Sequence, residues 1–259
     1  IVYGLLALGI FVYALGFGQS ILTAGLTLAL LILPIIIVST REAIRAIPTA
    51  IREGSMAAGA TRWQTCRYHI IPYAMPGILT GVIIGLARAI FAMEGLRFTL
   101  AGTDNIPASG GAVMAINHIG YFDFTYAGLA AYQRNRLVRF MCKDTIWEHP
   151  VAGFLMRGMR HIPVDREAGA ASFRLALTAL KKGEIVGVFP EATISRSFEL
   201  KEFKPGAARM APAARVPVIP VVVWGSQRVW TKGIKKRLFR TNTPILVSVG
   251  EPLDVAKGA

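Results

Sequence analysis

Acidic residues are scarce in this chain: 15 Asp and Glu stand against 29 Lys and Arg in 259 residues, a net charge of +14. An excess of that size calls for an anionic partner, either nucleic acid or a membrane surface. The signatures of the first are missing as well. There is no zinc-ligand spacing, helix-turn-helix pattern or aromatic RNA-binding motif, so nucleic acid is set aside and membrane phosphate is the expected partner. Cysteine is nearly absent. Cys66 and Cys142 give no disulfide framework and no paired metal spacing, which suits a cytoplasmic face. His69, His149 and His161 form no ligand set with them, so no metal is expected. No Gly-x-Ser-x-Gly elbow occurs, and Cys142 lies in an apolar run, which disfavours a serine or cysteine esterase acting on lipids. There is no internal repeat or low-complexity tract. A basic leader before the first apolar run is missing too, so no cleaved signal is expected.

Apolar residues are abundant, at 53% of the chain, and unevenly spread. Residues 1–38 are almost continuously apolar, broken only by Gly16 to Ser20, and read as two spans, 1–17 and 21–38. A third apolar stretch covers 71–93, with Arg88 tolerable only near an end or against a partner. Between them, Arg41, Arg45, Arg52, Arg62 and Arg67 outweigh Glu42 and Glu53, so the positive-inside rule makes 41–69 cytoplasmic. If 71–93 crosses, everything after residue 95 lies on the opposite side. A bend at Pro72, Pro76 and Gly77, with the helix lying in the interface, would avoid that.

Glu53-Gly54-Ser55-Met56-Ala57-Ala58-Gly59-Ala60-Thr61-Arg62-Trp63-Gln64-Thr65, followed by Ile71-Pro72 and Ala74 to Gly81, resembles the cytoplasmic coupling loop of ABC permeases, in the form found in phosphate-specific permease subunits. The resemblance covers about residues 20–90. It implies a loop that docks on an ATPase subunit, with Gly permitting the turn between two short helices. An intact subunit of that kind has more spans. Residues 1–91 are therefore expected to be an all-α transmembrane segment of two to three helices that anchors a second domain, 92–259. A phosphate transporter subunit is the alternative function, with an ATPase partner only if this part works as a permease.

From Gly95 short apolar runs alternate with amphipathic segments, the pattern of an α/β domain with a mixed sheet flanked by helices. Strands are expected near 112–116, 138–142, 161–164, 185–189, 218–223 and 245–249, and helices near 123–133, 145–157, 167–182 and 206–214. Leu175, Leu177 and Leu180 are read as one face of the third of these helices, with Gly183 as its stop.

Four stretches of this domain carry candidate chemistry. Asn117-His118-Ile119-Gly120-Tyr121-Phe122-Asp123 follows an apolar run, and a turn through Gly120 lets His118 and Asp123 face each other at the mouth of a sheet. A neutral imidazole can take a proton from an alcohol, and a carboxylate on its other nitrogen fixes the tautomer. Gly158 to Arg166 ends a strand either with a cation for an anionic substrate or with a strand-end ion pair of Asp165. Phe189-Pro190-Glu191-Ala192-Thr193-Ile194-Ser195-Arg196 puts a carboxylate, a hydroxyl and a cation in a loop after an apolar strand. Val216 to Val221 is an apolar strand edged by prolines.

In this order the four stretches resemble the glycerophospholipid acyltransferase family, the PlsC-like enzymes that acylate glycerol 3-phosphate or lysophosphatidic acid. The resemblance covers about residues 96–255 and implies the glycerolipid acyltransferase fold. It makes His118 the general base and Asp123 its partner. Asn117, Arg166, Glu191, Thr193, Arg196 and Lys204 become the substrate-binding residues, with Glu191 and Thr193 on the glycerol part and the cations on the phosphate. The family's third motif usually reads Phe-Pro-Glu-Gly-Thr-Arg-Ser, and here Ala192 replaces the Gly and Ile194 the Arg. Arg196, or Lys204 before Pro205-Gly206, is expected to supply the missing charge. No cofactor is implied beyond an acyl-CoA or acyl carrier protein thioester as co-substrate. The expected partners are that donor, a glycerol phosphate or lysophospholipid acceptor, and membrane lipids met on the cytoplasmic face of the cell membrane. Trp224, Trp230, Lys232, Lys235, Lys236, Arg237, Phe239 and Arg240 read either as a surface on anionic headgroups or as a solvated basic loop.

Overall fold

The computed structural model describes residues 2–165, 169–196, 199–235, 237 and 242–254, with the backbone alone for 2–5. Two compact units divide the chain, Ile1–Ala92 and Met93–Ala259.

The first unit is helical. Helix α1 (Val2–Gly9) runs into a π-helical turn, Ile10–Ala14, and α2 (Ile21–Arg45) begins at Ser20, whose hydroxyl accepts from the Thr23 N–H at 3.2 Å. The expected span 21–38 does not end at Val38. Nothing stops the helix there, since Arg41, Glu42 and Arg45 are good helix formers and Glu42 pairs with Arg45 one turn on. It ends before Pro48, which disfavours helical backbone at the residue preceding it. The segment read as a loop, 41–69, is therefore mostly helical. Helix α3 (Thr49–Ala57) turns at Gly59, φ +89°, into α4 (Arg62–Thr65), which opens with a Thr61–Gln64 capping box.

A π-helical turn, Cys66–Ile70, then joins α4 to α5 (Ile71–Met93), so that Arg62 to Met93 is one continuous helix of 32 residues. The wide turn absorbs Pro72, which has no N–H to give. The prolines thus do not break this stretch as expected. Gly81 faces Ser39 and Gly85 faces Ile32 and Ile35, a pairing of α2 with α5 in antiparallel sense. A Cβ at residue 81 would lie 1.9 Å from the Ser39 hydroxyl, so only glycine permits this approach. Both α2 and the 62–93 helix are long and apolar enough to cross a membrane.

The second unit is a seven-stranded mixed sheet. Its strands are β1 (Arg97–Ala101), β2 (Ala112–Ile116), β3 (Val138–Lys143), β4 (Ile162–Val164), β5 (Ile185–Val188), β6 (Val218–Trp224) and β7 (Pro244–Val249). Its helices are α6 (Asp123–Tyr132), α7 (Pro150–Gly158), α8 (Gly169–Lys181) and α9 (Gly206–Ala214). The order is β1-β7-β6-β2-β5-β3-β4, with only the β6–β7 pair antiparallel. The expected mixed sheet with flanking helices is present.

Three local expectations are corrected. Strand β1 was not expected. It sits at the edge and alternates exposed Arg97 and Thr99 with half-buried Phe98 and Leu100, so no continuous apolar run announces it. The helix expected over 145–157 is split, because Pro150 opens α7 and His149 caps it by accepting from the Ala152 N–H at 3.2 Å. On α8, Leu175 is exposed and the buried face is Ser172, Ala176, Ala179 and Leu180. Residues 175 and 177 are two apart and point nearly opposite ways on a helix.

The core lies on both faces of the sheet. Val113, Val186 and Val188 pack with α8 and α9 through Ala176, Leu180 and Met210. On the other face α6 covers the sheet, with Phe124 against Phe140 at 5.9 Å between ring centroids. A Cβ at Gly187 would lie within 2.8 Å of Phe140 and Val138 atoms, so this glycine lets those two side chains lie flat on β5.

Candidate active site

Strand β2 is the fourth of seven, between parallel β5 and β6, and its carboxyl end opens into the crevice where sites of such sheets gather. Asn117 is the first residue past the strand. Its side-chain amide donates to the Val223 carbonyl at 3.0 Å and its carbonyl accepts from the Val223 N–H at 2.7 Å. The side chain copies a backbone and lengthens the β2–β6 ladder. Asn117 was expected to bind substrate, but its amide is buried and committed to the fold.

The next residues turn back sharply. Gly120 allows it, since a Cβ there would meet the Ser226 hydroxyl at 2.4 Å. Asp123, the first residue of α6, is fully buried and faces four donors. Its Oδ2 accepts from the Ile119 and Gly120 N–H groups, both at 2.8 Å, and meets His118 Nδ1 at 3.0 Å. Its Oδ1 accepts from the Ser226 hydroxyl. A carboxylate in this setting only accepts, which assigns a proton to Nδ1 and leaves Nε2 as the basic nitrogen. The imidazole is 21% exposed, and the Phe189 ring stacks on it at 4.3 Å. The imidazole therefore has one covered face, one tautomer favoured by Asp123 and a partly exposed remainder.

The loop after β5 is strapped to the same turn. Glu191, 3% exposed, accepts from the His118 N–H at 2.9 Å through Oε1 and from the Lys201 N–H at 3.4 Å through Oε2. Ser195 N–H donates to the His118 carbonyl at 2.7 Å. Glu191 was expected to hold the acceptor, yet its oxygens bind the loops on either side of it, so it positions His118 through the backbone. Ala192 adopts φ +55°, the left-handed conformation for which the family pattern uses Gly. Ile194, where that pattern has Arg, is buried and brings no charge.

Thr193, Arg196 and Lys204 are exposed on this loop, and the Lys204 N–H donates to the Pro190 carbonyl at 2.9 Å. Arg166 lies outside the described residues, as do Lys236, Phe239 and Arg240 of the basic segment. The structure thus brings His118, Asp123 and Glu191 together. Thr193, Arg196 and Lys204 stand on the rim of the same loop.

Sequence reasoning missed two residues. Ser226 follows Gly225, φ +102°, after β6, and no spacing rule links it to Asp123, 103 positions earlier. Lys201 is half-buried, and its ammonium donates to the Ile194 carbonyl at 3.3 Å. A cation therefore sits beside the position that lost the family's Arg. The only signal for it was a Lys within the same loop.

Two further groups are chemically quiet. Burial pushes the Cys142 thiol up to about 12, away from nucleophilic use. Burial, with Arg139 nearby, holds the His161 imidazole down to about 4, and its Nδ1 accepts from the Phe140 N–H at 3.1 Å. Among the described residues no group of three or more His, Cys, Asp and Glu could hold a metal ion.

Comparisons with known proteins find two families along the chain. The family model for Acyltransferase matches residues 97–224. The model for Binding-protein-dependent transport system inner membrane component matches 2–132 and so runs past the unit boundary into residues that build β1, β2 and α6 here. The 1-acyl-sn-glycerol-3-phosphate acyltransferase of Bacillus subtilis is 32% identical over 156 residues, 59% of this chain and 72% of that one. The phosphate transport system permease protein PstA of Mycobacterium leprae is 39% identical over 90 residues, 35% of this chain and 30% of that one. This chain spans about a third of the length of the permease relatives it matches. The crystal structure of the 1-acyl-sn-glycerophosphate acyltransferase PlsC from Thermotoga maritima matches with a TM-score of 0.58 at 21% identity, covering 86% of this chain and 88% of that one. At that identity the likeness speaks for the fold. With the family model on its sheet and the Bacillus relative spanned over most of its length, the chain belongs to the acyltransferase family, joined to a first unit of the transport system inner membrane component family.

Proposed function

We propose that this chain transfers an acyl group from an acyl thioester to a hydroxyl of glycerol phosphate or lysophosphatidic acid. The observation that carries the reading is the fully buried Asp123 holding the His118 imidazole by Nδ1, with Nε2 left to meet an alcohol. Nε2 takes the hydroxyl proton as the oxygen attacks the thioester carbonyl. The tetrahedral oxyanion then collapses, the C–S bond breaks, and the leaving thiolate recovers the proton from the imidazolium. Asp123 stabilises that imidazolium without being protonated. No covalent enzyme intermediate and no cofactor is needed, because the thioester is already activated.

On this reading Lys201 shares the acceptor phosphate with Arg196 and Lys204. An ammonium has three donors, and among the described residues one is committed, to the Ile194 carbonyl. Thr193 is left to meet the glycerol part. The first unit serves as membrane attachment, supported by its two long apolar helices and its permease relatives. The catalytic unit belongs on the cytoplasmic face, where thioesters are made. With α2 and α5 antiparallel, that face requires the 46–61 turn either to cross to the far side or to stay at the near interface. A second reading concerns this turn alone. The two short helices joined at Gly59 keep Trp63 and Met56 exposed, as a docking element for an ATPase subunit would. Copurification of such a subunit would support it.

The test is an acyl-transfer assay on the purified chain in lipid vesicles, with acyl-CoA and acyl carrier protein donors and a panel of acceptors with and without phosphate. Product from a phosphate-bearing acceptor, formed faster than from its phosphate-free analogue, is expected. Release of free fatty acid without any acceptor would point instead to an esterase.

A further inference from the structure

The two ends of the sheet in the second unit differ in what they show to solvent. At the His118 end lie the carboxyl ends of β2, β3, β5 and β6, and the loops there carry exposed apolar side chains. Leu200, Phe203 and Ile234 are each more than half exposed, and Trp224 and Tyr121 nearly so. At the opposite end the described loops expose only Leu137 and Leu253 among large apolar residues. Single exposed apolar residues mean little, but a set gathered on one rim does.

Charge follows the same asymmetry. Residues 203–250 hold nine Lys and Arg and no Asp or Glu. Of these, Arg228, Lys232, Lys235 and Arg237 lie exposed on the segment that follows β6, beside Trp224 and Ile234. That segment is fastened to the catalytic turn at three points. The Ser226 hydroxyl donates to Asp123, the Thr231 hydroxyl donates to the Ile119 carbonyl at 2.6 Å, and the Tyr121 N–H donates to the Trp230 carbonyl at 3.0 Å. Whatever surface the segment rests on, His118 is carried to it.

We propose that residues 224–235 and Arg237, with Leu200 and Phe203, form a docking face for an anionic phospholipid bilayer, distinct from the apolar helices of the first unit. An acidic protein would match the cations but leave the Trp and aliphatic tips unused. An anionic interface matches both, with phosphates for the cations and the shallow acyl region for Trp224 and Ile234. Each cation near such a surface adds about a fivefold preference for it. The bonds that hold the face also hold Asp123, so docking and alignment of the imidazole are mechanically one arrangement. The proposal stands apart from the identity of the acyl acceptor.

The experiment uses the full chain in vesicles with a Cys66→Ser/Cys142→Ala background, so that only the introduced cysteine takes the label. A fluorophore is attached at Ile234→Cys or, at the far end of the sheet, at Ser109→Cys. Both proteins keep the same membrane helices, so the difference reports how the second unit faces the bilayer. Headgroup-nitroxide lipids should quench the residue 234 label more strongly than the residue 109 label in vesicles containing phosphatidylglycerol. That difference should shrink in neutral vesicles and in the Lys232→Glu/Lys235→Glu variant, whose circular dichroism controls for folding. Equal quenching at the two positions would overturn the proposal. So would a 234 label untouched by lipid quencher but shielded from aqueous iodide by an acidic carrier protein, which would assign the face to a protein partner.

Discussion

The two units satisfy their polar groups in opposite ways. In the first, side-chain hydrogen bonds are local, as where the Ser39 hydroxyl donates to the Ile35 carbonyl, Thr80 to Pro76, and Ser55 and Thr65 share a bond. In the second, the bonds that build the site span the chain: Asn117 to Val223, Thr231 to Ile119, Glu191 to His118. A helix in lipid has to satisfy its backbone and its hydroxyls within itself, and so carries its stability wherever it is placed. A site made of long-range bonds exists only when the whole sheet has formed. The difference fits a chain in which a helical unit related to transport-system membrane components is joined to a catalytic unit. The helices are separable by construction, and the sheet is not.

The largest effect is expected at Asp123, where the local turn of His118, Ile119 and Gly120 meets the distant Ser226. Asp123→Asn removes the acceptor of four donors and turns an amide N–H or a weaker acceptor toward them. Transfer should fall by about two to four orders of magnitude. Thermal stability should fall too, because buried donors lose their charge-assisted partner, at about 1–3 kcal/mol each. A variant with unaltered turnover would mean that the network is packing and not catalysis.

Next comes the acceptor phosphate. Lys201→Met should raise the acceptor KM by about ten- to a hundredfold, the equivalent of one charge-assisted contact, while the donor KM stays put. Arg196→Ala and Lys204→Ala should do less, since both residues are exposed and their contacts with phosphate would be screened by water. If Arg196→Ala alone moves the acceptor KM, the grip returns to Arg196 and Lys201 is a loop fastener.

A smaller effect belongs to pH. The His161 imidazole is held down to about 4 in the folded chain, against about 6.5 in an unfolded one. Between those values the unfolded chain takes up a proton that the folded chain refuses. Stability contributed by the neutral ring is therefore complete above about 6.5 and is lost as pH falls toward 4. Melting curves across that window should show His161→Gln losing less stability on acidification than the unaltered chain. Identical slopes would remove His161 as the cause. The smallest effect is expected from the first unit, where a chain beginning at Phe91 should keep its turnover in detergent. Loss of activity in such a chain, shown to be folded, would mean that the helices help to build the site.

The sequence made much of the second unit legible and less of the first. Apolar runs located β2 and β5, which are buried on both faces, and β6 and β7, whose exposed positions include the apolar Val222, Trp224 and Leu246. The same rule hid β1, an edge strand with Arg97 and Thr99 in water. The helical continuity of 38–45 and 62–70 was obscured by charge, which marks a membrane boundary without marking the end of a helix. At the site, motif spacing found His118 and Asp123, which are neighbours in sequence and in space. It could not show that Asn117 and Glu191 turn inward, because their partners lie 106 and 73 positions away. Ser226 was invisible for the same reason. Lys201 was passed over in favour of Arg196 and of Lys204 before Pro205-Gly206, whereas the loop folds so that the Lys201 ammonium reaches the Ile194 carbonyl.

The most direct measurement is single-turnover transfer of a labelled acyl group from its thioester to lysophosphatidic acid, by the full chain and by His118→Ala in the same vesicles. The unaltered chain should form phosphatidic acid. His118→Ala should bind the thioester with unchanged affinity and form product about two to four orders of magnitude more slowly. Equal rates in the two proteins would contradict the assignment of His118 as the base.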